Sequence, residues 1–511
     1  MKYSNFMSKL DNEIGNVSVT ENGALGYATS GKAILDMNFR ITSYRNKTAP
    51  EIIRDFSLAL DETPTVAIKW LFFARDIRGG AGERRLFRIC MNWFAKNYPD
   101  IAKELLVLIP EYGRFDDLLD LAQVPAVAKD VTEIVKTQFI SDMKNCGAGK
   151  SVSLLAKWMP SENASSPVTR EQARHWIAEL GVTPRVYRKT LSKLRSYLDV
   201  TEVKMSGNEW DEIDYEKVPS RANVIYREAF SRHDVARREQ YLTALSKGEA
   251  KINAATLFPH EIFQKVDRSY EVLADMEAAW KSLPDYVKGN DSTIVVRDGS
   301  GSMTSRINFN ATTSCLDVAS ALSVYFSERC KGAFKDKFIT FSGRPQLVDL
   351  SNCNSLRAKA SKLGRFNECD NTNLEAVFDL ILNLAVENRM PQSEIPQNIL
   401  IISDMEFDSC TSSGWSRSWT KPSKRLFEEI ANRYASAGYK LPRLVFWNVC
   451  SHTGTIPVIK NDLGVALVSG FSPAIVKMVL SGKLDPFECL LETLNAPRYD
   501  AVGEAIKKAV R

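Results

Sequence analysis

The sequence predicts two units of different class: an α-helical repeat region over residues 1–288 and a doubly wound, mostly parallel α/β domain over residues 289–511. Three observations carry this. From about residue 48 to 285 apolar residues recur at spacings of three and four with few β-branched runs, the pattern of amphipathic helices. At "LPDYVKGNDS", residues 283–292, Pro, Gly, Asn and Asp gather and that pattern stops. Beyond it short β-branched runs alternate with helical stretches, as buried parallel strands and their crossover helices do. A chain of 511 residues is also too long for one ordinary domain of roughly 150 residues.

In the first unit, "TPTVAIKWLFFARD" places Thr63 to cap a helix and Pro64 in its first turn, with Val66, Trp70 and Phe73 on one face. "YPDIAKELLVLIPEYGRFDDLLDL" reads as two short helices split at Pro110 and Gly113. Successive amphipathic helices with short breaks predict a HEAT-like array; no fixed-period repeat is present, and a bundle is the alternative. In the second unit, strands are expected at "STIVVRD", "KFITFS", "PQLVDL", "NILIISD", "RLVFWNVC" and "GVALVSG". Helices are expected at "LDVASALSVYFSERC", "LEAVFDLILNLAVEN", "RLFEEIANRYASAG" and "PAIVKMVLSG".

The bulk numbers exclude several classes. A net charge of +5 is too mild for a nucleic-acid coat or a membrane-surface protein, so an RNA site must be a local patch. The nine cysteines include no CxxC pair, which predicts reduced thiols rather than a disulfide framework or structural zinc. No stretch approaches the roughly 18 apolar residues of a membrane span. The expectation is a soluble cytoplasmic protein with no membrane partner.

"VVRDGSGSMTSR", residues 295–306, gathers oxygen atoms where the first strand of the second unit ends. Asp298, Ser300 and Ser302 form D-x-S-x-S, and Gly299 and Gly301 permit a tight turn. Mg²⁺ takes about six oxygens near 2 Å, with few carboxylates and several hydroxyls or waters. Two further loops supply the rest: Thr372 in "DNTNLEAVF" and Asp404 in "IISDMEFD", with Glu406 and Asp408 close by. Ligands of such sheets bind where strands end. Arg297 is the dissonant residue, because it stands beside Asp298 and could pair with it in place of a cation. Strand alternation predicts that it points to the opposite face.

This trio resembles the metal-ion-dependent adhesion site of von Willebrand factor A domains, which holds Mg²⁺ or Mn²⁺. The resemblance implies direct ligation by Ser300 and Ser302, direct or water-mediated ligation by Thr372, and largely water-mediated ligation by Asp298 and Asp404. The rest of the chain resembles domain-of-unknown-function family 2828, related to TROVE (telomerase, Ro and vault) proteins. "RDIRGGAGERRLFR", "AKWMPSENAS", "YRKTLSKLRSYLDVTEVKMSGNEWDEIDYEKVPSRA", "LFPHEIF" and "GVALVSGFSP" carry that likeness. It implies a scaffold like that of the Ro autoantigen, a ring of HEAT-like helices closed by a von Willebrand A domain that binds non-coding RNA.

An RNA surface needs basic groups for phosphates and aromatics or planar Arg for unpaired bases. "TPRVYRKTLSKLRSYLDV" offers Arg185, Arg188, Lys189, Lys193 and Arg195, interleaved with Tyr187 and Tyr197. "RDIRGGAGERR" adds Arg75, Arg78, Arg84 and Arg85 around a glycine-rich turn whose free amides could cradle an anion. The bland alternatives are a solvated helix face for the first, and arginines paired with Asp76 and Glu83 for the second.

Other motifs weaken. "KNCGAGKS" places Lys144 where a P-loop needs glycine. His175, His233, His260 and His452 are isolated from second metal ligands. No nucleophile stands with a base, so no enzymatic activity is expected. The leading expectation is a non-enzymatic, Ro-like RNA-binding protein. The alternative is an adaptor whose metal captures a partner's carboxylate.

Overall fold

The computed structural model describes residues 17–19, 25–287, 292–367, 373–406, 424–451, 465–475 and 485–510. From Ala33–Phe39 to Ala274–Lys281 the chain is built of helices joined by short breaks. Local signals set their ends. Thr48 and Glu51 form a capping box, the Thr48 N–H donating to Glu51 Oε2 at 2.8 Å, ahead of Ala49–Glu62. Pro64 opens the helix Pro64–Arg75 as the sequence predicts. That helix is buried on more than one face, with Ala67, Ile68, Trp70, Leu71, Phe72 and Phe73 all inside, so it runs through the core rather than along its edge. Pro110 does not split a helix. It sits in the first turn of Ile109–Tyr112, where its missing N–H costs nothing, and Gly113 ends that turn.

The second unit is a six-stranded sheet. Its strands are β3 (Thr293–Asp298), β4 (Lys337–Phe341), β5 (Leu347–Asp349), β6 (Asn398–Ser403), β7 (Arg443–Asn448) and β8 (Val465–Ser469); β1 (Val17–Val19) and β2 (Leu25–Tyr27) form a separate hairpin. The order across the sheet is β5-β4-β3-β6-β7-β8, all parallel except β5, which runs antiparallel to β4 at one edge. Alternation sorts the side chains. Ile294, Val296, Ile399 and Ile401 pack with Val377, Phe378 and Ile381 of the helix Leu374–Glu387, while Val295, Leu400, Val445 and Trp447 join the core that contains Val318, Leu322 and Phe326 of Cys315–Arg329. Both faces are therefore covered, which is why β3 and β6 read as continuous apolar runs. β3 is hydrogen-bonded to β4 on one side and β6 on the other. The strand order reverses there, opening a crevice beyond the carboxyl ends of β3 and β6.

The two units interlock. The ends of the helical segment meet: Tyr286 Oη donates to the Arg78 carbonyl at 3.2 Å, and the Phe258 ring lies against Gly82. The first helices also touch the sheet, Asn448 Nδ2 donating to the Phe39 carbonyl at 3.0 Å and Ser43 Oγ to the Ser451 carbonyl at 2.7 Å. The last helix, Asp500–Val510, returns to the helical half, where buried Asp76 accepts from Arg498 Nη2 at 2.8 Å and Tyr499 Oη at 3.1 Å. Packing thus crosses the composition break near residue 288 in both directions. Among the described residues no helix is long and apolar enough to cross a membrane.

His260 marks the joint. It stacks on Phe258 and meets the ring edge of Phe471 from beyond β8, and burial holds its pKa down to about 4 against the weaker pull of Glu261 and Asp317; Arg45 and Arg221 press the same way as burial. A histidine buried neutral stabilises the fold above its unfolded pKa near 6.5, and that contribution drains as pH falls towards 4. Urea titrations at pH 7 and pH 4.5 are expected to show a loss of about 2–3 kcal/mol assignable to this residue. In His260→Phe that part of the acid sensitivity should disappear; an unchanged loss in the variant refutes the assignment.

Candidate metal centre

Three buried acids converge at the carboxyl end of the sheet. Asp298 ends β3, and Asp404 and Glu406 follow β6, all three almost wholly buried. Asp298 Oδ1 accepts the Ser300 N–H at 2.9 Å and Oδ2 the Ser403 hydroxyl at 2.6 Å. The Ser300 and Ser302 hydroxyls are 3.1 Å apart. Asp404 Oδ1 accepts the Glu406 N–H at 3.1 Å, while Glu406 Oε1 accepts the Ser451 hydroxyl at 3.0 Å. Asp404 Oδ2 is buried with no hydrogen-bond partner. Ser302 is partly buried, while Asp298, Ser300, Asp404 and Glu406 lie deeper.

The electrostatics follow from this geometry. Burial raises the Asp298 pKa, against hydrogen bonds from Ser403 and Ser300 that favour the charged form. Asp404 is pushed up to about 7, first by burial and then by the Asp298 charge beside it. Buried carboxylates each cost several kcal/mol unless paired.

Arg297 makes no hydrogen bond or ion pair with these acids, although its charge favours ionised Asp298 at longer range. The side chain points away from the cluster, as alternation predicts, with Nη1 donating to Ser320 Oγ at 3.0 Å and Nη2 to the carbonyls of Phe366 at 2.8 Å and Leu363 at 3.3 Å. Leu363 and Phe366 lie at the C-terminal end of the helix Leu356–Leu363, where exposed carbonyls favour a cation. The guanidinium also lies over the Phe338 ring, 5.5 Å from its centroid. Burial brings its pKa down to about 10. Arg297 is therefore a strut that fixes the helix end to the sheet.

The donor set fits a hard cation. The Ser300 and Ser302 hydroxyls lie beside the Asp298 and Asp404 carboxylates, Ser302 close enough to favour the charged form of Asp404, and Asp404 Oδ2 accepts no hydrogen bond. Among the described residues no group of three or more His, Cys, Asp or Glu stands at metal-holding spacing, so the hydroxyls are essential to the set. Thr372 and Asp408, expected to contribute, lie outside the described residues, as does His452. Ser403 and Ser451 were not singled out in the sequence. Ser403 had a readable signal, standing at the end of a buried strand just before Asp404; Ser451 had none, since only β7 pairing with β6 brings it near Glu406.

The basic candidates for RNA contact divide sharply. Arg75 is not a surface residue: it is buried, with Nε and Nη2 on Asp117 at 2.8 and 2.6 Å. Arg84 reaches Asp116 and Asp117, and Arg85 donates to the carbonyls of Tyr44 and Lys47, both at 2.7 Å. Arg78 is exposed. The expected partners are taken elsewhere, Asp76 by Arg498 and Glu83 by Arg45. The anticipated amide cradle is also filled from within. The Arg78 N–H bonds Asp76 Oδ1, the Gly80 N–H the Asp76 carbonyl, the Ala81 N–H the Phe73 carbonyl and the Glu83 N–H the Ala74 carbonyl. Gly80 is required, because a Cβ there meets the Phe73 carbonyl oxygen at 2.0 Å.

On the helix Pro184–Tyr197, Arg195 is tied to the carbonyls of Ala156 and Met159 and to Ser161, Arg188 pairs with Glu162 at 2.5 Å, and Tyr187 is fully buried on the Pro160 carbonyl. Arg185, Lys189 and Lys193 are exposed and make no ion pair or side-chain hydrogen bond among the described residues. They fall at intervals of four, about 6 Å apart along the axis.

Comparison with known proteins adds two matching families. Residues 20–121 and 162–293 match a domain of unknown function, DUF2828, and residues 292–498 match another, DUF7788. An uncharacterized protein of Acanthamoeba polyphaga mimivirus, L728, is 30% identical over 525 residues, spanning 94% of this chain and 88% of that protein. The chain belongs to the DUF2828 family. In this DUF2828 protein the family match ends at the start of β3 and the second match covers the sheet with its acid cluster.

Proposed function

We propose that this DUF2828 protein is a divalent-cation-dependent binding protein, an adaptor whose C-terminal unit is a von Willebrand A-type module with an adhesion-type metal site. Ser300 and Ser302 ligate Mg²⁺ or Mn²⁺ directly, and Asp298 and Asp404 hold it largely through water; Thr372 is the expected fifth group. The cation, when bound, offers a hard Lewis-acidic position to a partner's Asp or Glu. The single observation that carries this reading is Asp404 Oδ2, buried without a partner beside a second buried carboxylate. The strand order, with its antiparallel edge strand, and the placement of D-x-S-x-S where β3 ends support the module assignment. No catalytic step is assigned. Isothermal titration of the metal-stripped protein with Mg²⁺ and Mn²⁺ tests it, and absence of saturable binding to either ion overturns it.

A second reading, RNA binding in the manner of Ro, is favoured by Arg185, Lys189 and Lys193 alone, because most of the other candidates serve internal contacts. Charge reversal at these three is expected to weaken RNA binding, flatten its salt dependence by roughly one phosphate contact each and leave the thermal midpoint nearly unchanged. Arg195→Glu should instead lower the midpoint. RNA retention that ignores the triple reversal refutes this reading.

A further inference from the structure

The described loops around the candidate cation site carry exposed arginines. The described loops at the carboxyl edge of the sheet, residues 299–314, 342–346, 364–367, 404–406, 449–451 and 470–475, contain no acidic residue except buried Asp404 and Glu406. They do contain Arg306, Arg344 and Arg365. All three are exposed, and none makes an ion pair or side-chain hydrogen bond among the described residues. Their placement follows from the fold. Arg306 follows Ser305, whose N–H bonds the Ser302 carbonyl at 2.9 Å. Arg344 lies just beyond β4, the parallel neighbour of β3. Arg365 adjoins Phe366, whose carbonyl oxygen lies 3.1 Å from the position of a Cβ on Gly299. Most of the other described arginines have carboxylate or carbonyl partners, so three exposed ones without such partners on one edge offer guanidinium donors that a partner's carboxylates complement.

An exposed aromatic stands on the same loop as Arg306. Phe309 is 83% exposed at the apex of the loop after Ser302. That loop is braced: Arg306 bridges Ser314, the Ile307 N–H bonds the Thr313 carbonyl at 3.1 Å, and the Cys315 N–H bonds the Ser305 carbonyl at 2.9 Å. Gln264 and Arg268 of the helical half hold the Thr312 carbonyl from behind at 3.1 and 2.7 Å, and Ile307 is buried beneath. A phenylalanine on so fixed a support loses little entropy on docking, as interface anchors do.

We propose that this edge is a docking surface for an acidic polypeptide segment carrying an apolar side chain. Its carboxylates face Arg306, Arg344 and Arg365, and its apolar group covers Phe309. The inference rests on the cation reading only for the central carboxylate; the arginines and Phe309 act without it. Chemistry favours a polypeptide because one chain then supplies both carboxylates for the cation and arginines and an apolar group for Phe309.

The test uses the full chain and fluorescence anisotropy with three labelled probes: a peptide alternating Asp and Leu, a peptide alternating Lys and Leu, and oligouridylate. The Asp-Leu peptide is expected to bind and the Lys-Leu peptide not. Arg306→Glu with Arg344→Glu and Arg365→Glu should weaken the Asp-Leu peptide by about tenfold or more, and Phe309→Ala by roughly several-fold. Binding should persist at a reduced level in chelator, which separates failure of the cation site from failure of this surface. Asp-Leu binding that ignores the triple reversal overturns the proposal. Oligouridylate binding that is tighter and lost with the same arginines overturns it in favour of nucleic acid. Mg²⁺ titration of the triple variant, expected to match the wild type, shows that the fold and cluster are intact.

Discussion

Asp117→Ala is expected to destabilise the protein by about 3–5 kcal/mol, a large part of the roughly 5–15 kcal/mol that holds a typical domain together. Asp117 is buried, and Arg75 and Arg88 donate to it, Arg75 at 2.6 and 2.8 Å and Arg88 at 2.6 Å; Arg84 adds a contact at 3.3 Å and the Arg114 N–H one at 3.1 Å. Those arginines hold the Asp117 pKa below its ordinary value in spite of burial. Removing the carboxylate leaves Arg75 inside with no counter-charge, which is worse than never having buried the pair. Asp116→Ala is the control. Its side chain is partly exposed and shares Arg84 and Arg88, so a loss of about 1 kcal/mol or less is expected. Equilibrium denaturation of both variants checks the contrast; equal losses refute it. The same result bears on RNA assays, since reversal at Arg75 reports unfolding rather than lost phosphate contact.

Metal addition is the second large effect. With Mg²⁺ or Mn²⁺ at about a hundredfold above its Kd, binding to the folded state alone contributes roughly 2.7 kcal/mol, read as a rise in melting temperature that chelator reverses. Ser300→Ala with Ser302→Ala should abolish the rise. Asp404→Asn should behave differently in chelator. Burial and the Asp298 charge oppose ionisation of Asp404, so the neutral amide relieves repulsion, and the variant is expected to melt above the metal-free wild type yet respond weakly to the ion. An Asp404→Asn protein that melts below the wild type in chelator contradicts the account of two buried acids repelling each other.

How much of this was legible depends on whether a feature is local. The helix starts at Pro64 and Ser314 and the continuous apolar runs of β3 and β6 are near-neighbour effects, written in capping residues and in side-chain alternation. The side of Arg297 was also legible, because alternation fixes it relative to Asp298. What holds its guanidinium there was not, since Ser320 and the Leu363 and Phe366 carbonyls lie far along the chain. The basic motifs misled for a related reason. "RDIRGGAGERR" reads as a cationic loop, yet Arg75 and Arg84 pair with Asp116 and Asp117, Arg85 is tied to the Tyr44 and Lys47 carbonyls, and its amides bond Phe73, Ala74 and Asp76, leaving Arg78 exposed. Sequence shows how many charges a segment carries, not which are already satisfied.

By itself, then, the sequence determined that the first part is helical and the second a mostly parallel sheet, and the placement of D-x-S-x-S where β3 ends, because periodicity, caps and turn residues act over a few positions. Only the tertiary structure decided which cations are free, that Arg297 bonds a helix end and not the acids, and that both ends of the helical half close against each other and the sheet. Those depend on burial and on pairings tens to hundreds of residues apart, where desolvation makes an unpaired charge costly and the three-dimensional neighbour decides whether it is paired.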